Sequence, residues 1–238
     1  MTDLPAVSAP VDRRAAVALI TTAVALSLLE YLAMPWKLLA AGVGSTWFPG
    51  MPDLGAGVAW VAATTLLLVV VPAVVVRGVF GDPLASIGWS TRGFLRHVPV
   101  YLLLLAVMAP FVWWASRQPS FLTTYPFVAS ARKDLGAFVR WEAAYLFQFL
   151  AIEAFFRGYL LFSCERAMGR LAIFVAAVPY TMIHFHKPLP ECLGAAGAGL
   201  VLGSLALRYR SFIGGVFLHA GVALAMDLLS VRASGLFG

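Results

Sequence analysis

The sequence predicts an all-α protein, a polytopic membrane helix bundle of about seven to eight transmembrane helices. Three observations predict it. Hydrophobic residues make up 61% of the 238-residue chain, against about 45–50% in ordinary globular proteins. Charged residues make up 12%, about half the usual share, and the mean hydropathy is +0.89. The apolar residues fall in long runs with Arg and Lys between them. A soluble fold cannot cover that much apolar surface, so lipid must be the solvent for much of the chain. Unpaired backbone groups cannot face hydrocarbon, and the runs are too long and too little alternating for barrel strands, so the spans are helices.

A bilayer core of about 30 Å needs about 20 apolar residues in a helix, and seven runs are candidates. Ala15–Met34 carries Glu30. Ala56–Val76 is uncharged, with Pro72 as a kink. Val98–Trp114 ends in two tryptophans suited to a membrane interface. Trp141–Cys164 carries Glu142, Glu153 and Arg157. Leu171–His184, Cys192–Leu207 and Phe212–Met226 are short for a full crossing. The sixth run holds Gly194, Gly197, Gly199 and Gly203, a pattern that lets helices approach closely and places it inside the bundle. The division expected is residues 1–137 as N-terminal helices and loops and 138–238 as a catalytic core, in one integral membrane domain.

Between the spans, Gly78–His97 reads as a juxtamembrane connection. Ser116–Phe138 is long for a link within a bundle; it is either an interfacial lid or a simple loop, and the simple loop is preferred. With the N-terminus inside, inside loops hold nine Arg and Lys residues and outside loops seven, which favours that orientation. The net charge of +6 comes from these anchoring residues. No basic stripe with interleaved aromatics is present, so no nucleic acid is expected. Residues 1–12 do not read as a cleaved signal, because the apolar run after Arg13 and Arg14 is too long for one. Cys164 and Cys192 form no CxxC and no ligand cluster.

Ionisable side chains within a membrane are expensive and point to function. Glu153 and Arg157 lie i,i+4 in AIEAFFRGYL, with the acid N-terminal to the base. Tyr180 and His184 lie i,i+4 in PYTMIHFHKPLPE, with His186, Lys187 and Glu191 following. His219 lies in an apolar run and needs a partner, with Asp227 eight residues on near the helix end; on the bland reading Asp227 caps nothing. Each feature has a bland reading: a buried ion pair joining helices, an interfacial loop, a hydrogen-bonded core histidine. Together they supply what hydrolysis of a peptide bond needs, a carboxylate to deprotonate water and His donors to stabilise the oxyanion.

The same segments resemble the motifs of the CAAX-protease and bacteriocin-processing family of glutamic intramembrane proteases, whose pattern is EExxxR, FxxxH and HxxxN. The resemblance covers roughly Trp141–Ser230. Glu153 and Arg157 match the second Glu and the Arg, Tyr180 and His184 the second motif with Tyr for Phe, and His219 the His of the third. The family's first Glu, its usual general base, is Ile152 here, and its Asn is Ala223. Either the chain is inactive or another group substitutes: Glu153 after a slight helix rotation, or Glu191 as a second carboxylate. The single-Glu motif and the HFxKPxxE segment are also similar to a branch, the myxosortases, that processes C-terminal membrane sorting signals.

The resemblance implies an intramembrane endopeptidase of the bacterial inner membrane acting on a membrane-associated protein or peptide, with Glu153, Arg157, His184, His219 and Glu191 as its catalytic residues and no cofactor. The alternatives are a zinc enzyme using His184, His186, His219 and the glutamates, a non-catalytic protein that binds or protects a peptide, and a transporter or proton relay. The absence of an internal repeat disfavours the last.

Overall fold

The computed structural model describes residues 11–233, so residues 1–10 of the segment read above as not a signal lie outside it. Among the described residues the chain is helical, with no strand. In order, the helices are α1 (Arg13–Ala33), α2 (Pro35–Ala40), α3 (Pro52–Val79), α4 (Phe94–Ala115), α5 (Pro119–Thr124), α6 (Leu135–Glu153), α7 (Leu161–Met168), α8 (Ala172–Met182), α9 (Leu189–Tyr209) and α10 (Ile213–Ala233). Five of these, α1, α3, α4, α9 and α10, are long and apolar enough to cross a membrane. The all-α integral membrane bundle expected from composition is what the structure contains.

The sixth and seventh apolar runs are longer than their hydropathy suggested. Each becomes a helix of 21 residues, because the flanking polar residues Glu191, Asp227 and Ser230 are helical and find partners inside the protein. The fifth run stays short, 11 residues in α8. The glycine-rich run is packed on one side only. Gly199 and Gly203 face Ala177 and Ile173 of α8 closely, whereas Gly194 and Gly197 meet nothing within 4 Å.

The centre of the bundle is α6, which continues through a π-helical turn (Ala154–Leu160) into α7. Every residue from Ala151 to Cys164 is buried. That explains how Glu153 and Arg157 are tolerated: they face protein, not lipid. Around this rod, α3 and α10 pack on α6, α4 packs on α10, and α8 packs on α9. A π turn inserts an extra residue into a helix and re-aims the side chains on either side of it, which is why such turns gather at functional sites.

The connection Ser116–Phe138 is not a simple loop. Phe121, Tyr125, Val128 and Ala131 are buried, and the Ser130 backbone N–H donates to Asp53 on α3 at 2.7 Å while its hydroxyl donates to the same carboxylate. The Ser230 hydroxyl of α10 donates to the Tyr125 carbonyl. The sequence favoured a simple loop over an interfacial lid. In the fold, the hydroxyls of Thr123 and Thr124 turn back on the Ser120 carbonyl, so the aromatic residues are free to enter the bundle. Asp227, which the bland reading left without a role, is fully buried and accepts from the Trp141 indole at 2.9 Å.

Two helices meet with no room for a side chain at Gly214. A Cβ there would lie 1.9 Å from Cζ of Tyr101 on α4, and Tyr101 is itself buried. Gly214→Ala is therefore expected to force α10 away from α4 and to destabilise the protein by about 1–3 kcal/mol, read as a lower thermal midpoint in detergent. Gly194→Ala, in open space, should not lower it.

Candidate active site

The site is built from α6, α8 and α10 at the level of the π turn. Glu153 is the last residue of α6, and its side chain is fully buried. One carboxylate oxygen, Oε1, lies 3.0 Å from Nη1 of Arg157 and 3.0 Å from Nδ1 of His219. The other, Oε2, has no hydrogen-bond partner and rests against Gly215 of α10, where a Cβ would come within 2.4 Å of it. The glycine pair Gly214–Gly215 thus lets α10 approach both Tyr101 and Glu153, and brings His219, one helical turn later, onto the carboxylate.

Arg157 is an ion-pair partner of Glu153 rather than an aligned hydrogen-bond donor: Nη1 and Nη2 are buried without hydrogen-bond partners. Its guanidinium lies over the Tyr180 ring at 3.7 Å from the ring centre. Two charges removed from water are tolerable only as a pair, and the aromatic face takes up part of the remaining positive charge.

The two histidines are fixed through the same nitrogen. His184 follows α8, is buried, and donates from Nδ1 to the Tyr180 carbonyl at 2.9 Å. A carbonyl can only accept, so Nδ1 carries the proton and Nε2 of the neutral ring is an acceptor. This differs from the sequence expectation of His donors for an oxyanion. In His219, Nδ1 faces the Glu153 carboxylate, which sets the same tautomer. Phe149 packs on the His219 ring at 4.4 Å, and Tyr180 stands edge-on to both imidazoles, 4.9 Å from His184 and 6.0 Å from His219.

A cavity of about 390 Å³ runs along this assembly. His184 and His219 line it, with Phe149, Ile152 and Tyr145 of α6, Trp60, Thr64 and Leu68 of α3, and the end of α1 from Leu26 to Met34. Its mouth carries Glu30, His186 and Lys187. Ile152, the residue standing where the resemblance puts a glutamate, faces the cavity; Glu153 does not line it. The π turn starts after Glu153, and in this arrangement the carboxylate points away from the open space. It reaches the cavity through His219.

Glu191 is not part of this cluster. It lies in the first turn of α9, where it accepts from the Tyr125 hydroxyl at 2.5 Å and from Lys187 Nζ at 2.7 Å. Burial, and then the neighbouring Glu191 carboxylate, push the Tyr125 phenol well above its ordinary pKa, so Tyr125 remains a donor. Lys187 lines the cavity mouth and links Glu191 to it. His186 turns to Glu30 at 3.2 Å and packs edge-on against Trp36. Among the described residues no group of three or more His, Cys, Asp or Glu side chains is gathered as a metal ion would require, and the zinc set read from the sequence is not brought together.

Sequence reading missed two cavity residues. Gln148, one turn before Ile152, is buried and donates to the Thr64 hydroxyl at 3.4 Å, while its Oε1 has no partner. A polar residue at i−4 from a motif position was the available signal. It also missed that Glu142 and Asp227 lie together at the base of α6 and the end of α10.

Comparison with curated proteins and with solved structures finds no match to either. Residues 134–225, the segment that holds Glu153, Arg157, His184 and His219, match the family described as type II CAAX prenyl endopeptidase Rce1-like. The match supports the protease family and not the myxosortase branch within it. Every residue gathered around Glu153 from α6, α8 and α10 falls within the segment that matches this protease family.

Proposed function

We propose that this protein is an intramembrane endopeptidase in which Glu153 activates water through His219. The observation that carries this reading is the pair of contacts at Glu153 Oε1, with Arg157 on one side and His219 Nδ1 on the other, beside a cavity that both histidines line. With Nδ1 of each imidazole committed, Nε2 of each is the nitrogen left for a reactant. Two acceptors suit the two hydrogens of one water molecule and leave its lone pair for a substrate carbonyl. As the water attacks, His219 takes one proton at Nε2. Glu153 stabilises the imidazolium, and Arg157 holds the carboxylate in place. The proton then passes from His219 to the leaving amine, and the carboxylic acid left behind gives up its remaining proton to solvent or to the amine, so the products are a carboxylate and an amine or its ammonium form. Gln148, a lining residue with an unpartnered Oε1, is available to accept from a substrate backbone N–H. Substrate is a membrane-associated protein or a C-terminal sorting segment, and the protein resides in a bacterial cytoplasmic membrane.

A second reading is favoured by one observation. Ile152 places a branched apolar side chain on the cavity wall where the resemblance expects a glutamate. A protein that binds a peptide without cutting it would show that substitution. Purified protein in lipid, incubated with a C-terminal transmembrane peptide, separates the two: bond cleavage supports the first, and binding with an intact peptide the second.

Three outcomes follow if the first reading holds. Glu153→Gln and His219→Ala each lower kcat by about 10²–10⁴-fold, with little change in KM, and a double variant falls no further than either alone. Arg157→Met leaves Glu153 buried and unpaired and destabilises the fold by about 3–5 kcal/mol, so it is lost from detergent-solubilised, folded material. Glu191→Gln, which loosens Tyr125 and Lys187 but leaves Glu153 untouched, lowers the thermal midpoint and reduces kcat/KM less than Glu153→Gln. Equal losses for Glu191→Gln and Glu153→Gln would instead make Glu191 the water-activating carboxylate.

A further inference from the structure

The cavity is lined at the level of the end of α1 and the link from α8 to α9, toward one end of the bundle, and the contacts at the two ends tell the membrane faces apart. One face is tied together by Arg14–Asp82 at 2.5 Å, by Arg210–Glu165 at 2.6 Å, by the Ser211 hydroxyl on the Ser90 carbonyl at 2.5 Å, and by the stacked rings of His97 and Tyr209. These contacts join the start of α1, the end of α3, the start of α4, the end of α7 and the link from α9 to α10. The opposite face is tied by Asp53–Ser130, Tyr125–Glu191, Tyr125–Ser230 and Glu30–His186. The cavity mouth, with Glu30, His186 and Lys187, belongs to this second face, and no residue of the first-face contacts lines the cavity.

The exposed cations divide unevenly between the faces. By sequence the count is nine against seven. By exposure it is eight against four. Exposed on the first face are Arg13 and Arg77, Arg92 and Arg96, Arg166 and Arg170, and Arg208 and Arg210. Exposed on the second are Arg117, Lys133, Arg140 and Arg232. The second face's other three cations are only partly exposed and are turned inward: Lys37 donates to the Glu30 carbonyl at 2.9 Å, Lys187 pairs with Glu191, and Arg132 donates to the Pro126 carbonyl at 3.3 Å. Arg and Lys residues flanking membrane helices are retained on the cytoplasmic side, where anionic headgroups attract them.

We infer that the arginine-rich face is cytoplasmic and that the cavity, with His184 and His219, opens to the non-cytoplasmic side. Resting on the protease reading, this makes the substrate class exported or membrane-anchored proteins whose scissile bond lies at the outer edge of the bilayer.

The test of sidedness does not depend on activity. In a Cys164→Ala, Cys192→Ala background, Ser120→Cys marks the cavity face and Thr91→Cys the arginine-rich face; both positions are exposed and neither exchange alters charge. With the full chain in a bacterial cytoplasmic membrane, a membrane-impermeant maleimide added to intact spheroplasts should label Ser120→Cys fully and Thr91→Cys only after permeabilisation. The reverse pattern, or equal labelling of both before permeabilisation, overturns the inference. A second arm uses single-span reporter proteins carrying one cleavage segment at either membrane edge. Cleavage only at the outer edge supports the inference, and cleavage only at the inner edge overturns it. If neither reporter is cut, the protease reading fails and the labelling result decides the sidedness alone.

Discussion

The arrangement of this protein depends on keeping one charged pair out of both water and lipid. Glu153 and Arg157 are each almost wholly buried, and a carboxylate and a guanidinium in such a place survive only when they face each other. That requirement accounts for much of what surrounds them. The rod from α6 to α7 sits in the middle of the bundle, the Tyr180 ring lies under the guanidinium, and two adjacent glycines let α10 close over the carboxylate. His219 arrives at Glu153 as a consequence of that closure.

The same constraint shapes the chemistry. Glu153 is fully buried and is not among the residues that line the cavity. In the mechanism proposed above its influence passes through the hydrogen bond to His219, whose ring lines the cavity. His184 is held independently, by a backbone carbonyl one turn earlier, so the two rings come from different helices yet offer the same nitrogen. The cavity lining is largely aromatic and aliphatic; Gln148 and Thr64 pair with each other on it, and Ser27, Glu30, His186 and Lys187 are its other polar residues besides His184 and His219. Such a surface suits a peptide that is itself largely apolar.

The segment from Ser116 to Lys133 links this site to the membrane surface. Phe127 packs edge-on against Trp60 and Tyr145, both of which line the cavity. Tyr125 holds Glu191, which holds Lys187 at the cavity mouth. Movement of this segment would therefore alter the mouth before it reached the histidines.

How much of this was legible beforehand differs from residue to residue. The all-α membrane bundle followed from hydropathy alone, since lipid admits no other way to satisfy the backbone over such runs. The pairing of Glu153 with Arg157 followed from i,i+4 spacing, because both partners lie on one helix. The contact of Glu153 with His219 spans 66 residues, and nothing in local spacing encodes it; it depends on Gly214 and Gly215 meeting α4 and α6. Glu191 looked equivalent to Glu153 as a charge near an apolar run, and only packing separated them, one held against Tyr125 and the other against a histidine. The connection after α4 read as a simple loop because hydroxyl side chains that bond their own backbone, as Thr123 and Thr124 do, look in sequence the same as those that bond water. The sequence alone thus determined the solvent, the helices and the local charge pair, all set by short-range pattern. The tertiary structure decided which histidine the carboxylate serves, which residues line the cavity and on which face it opens, because these are relations between helices that no single helix contains.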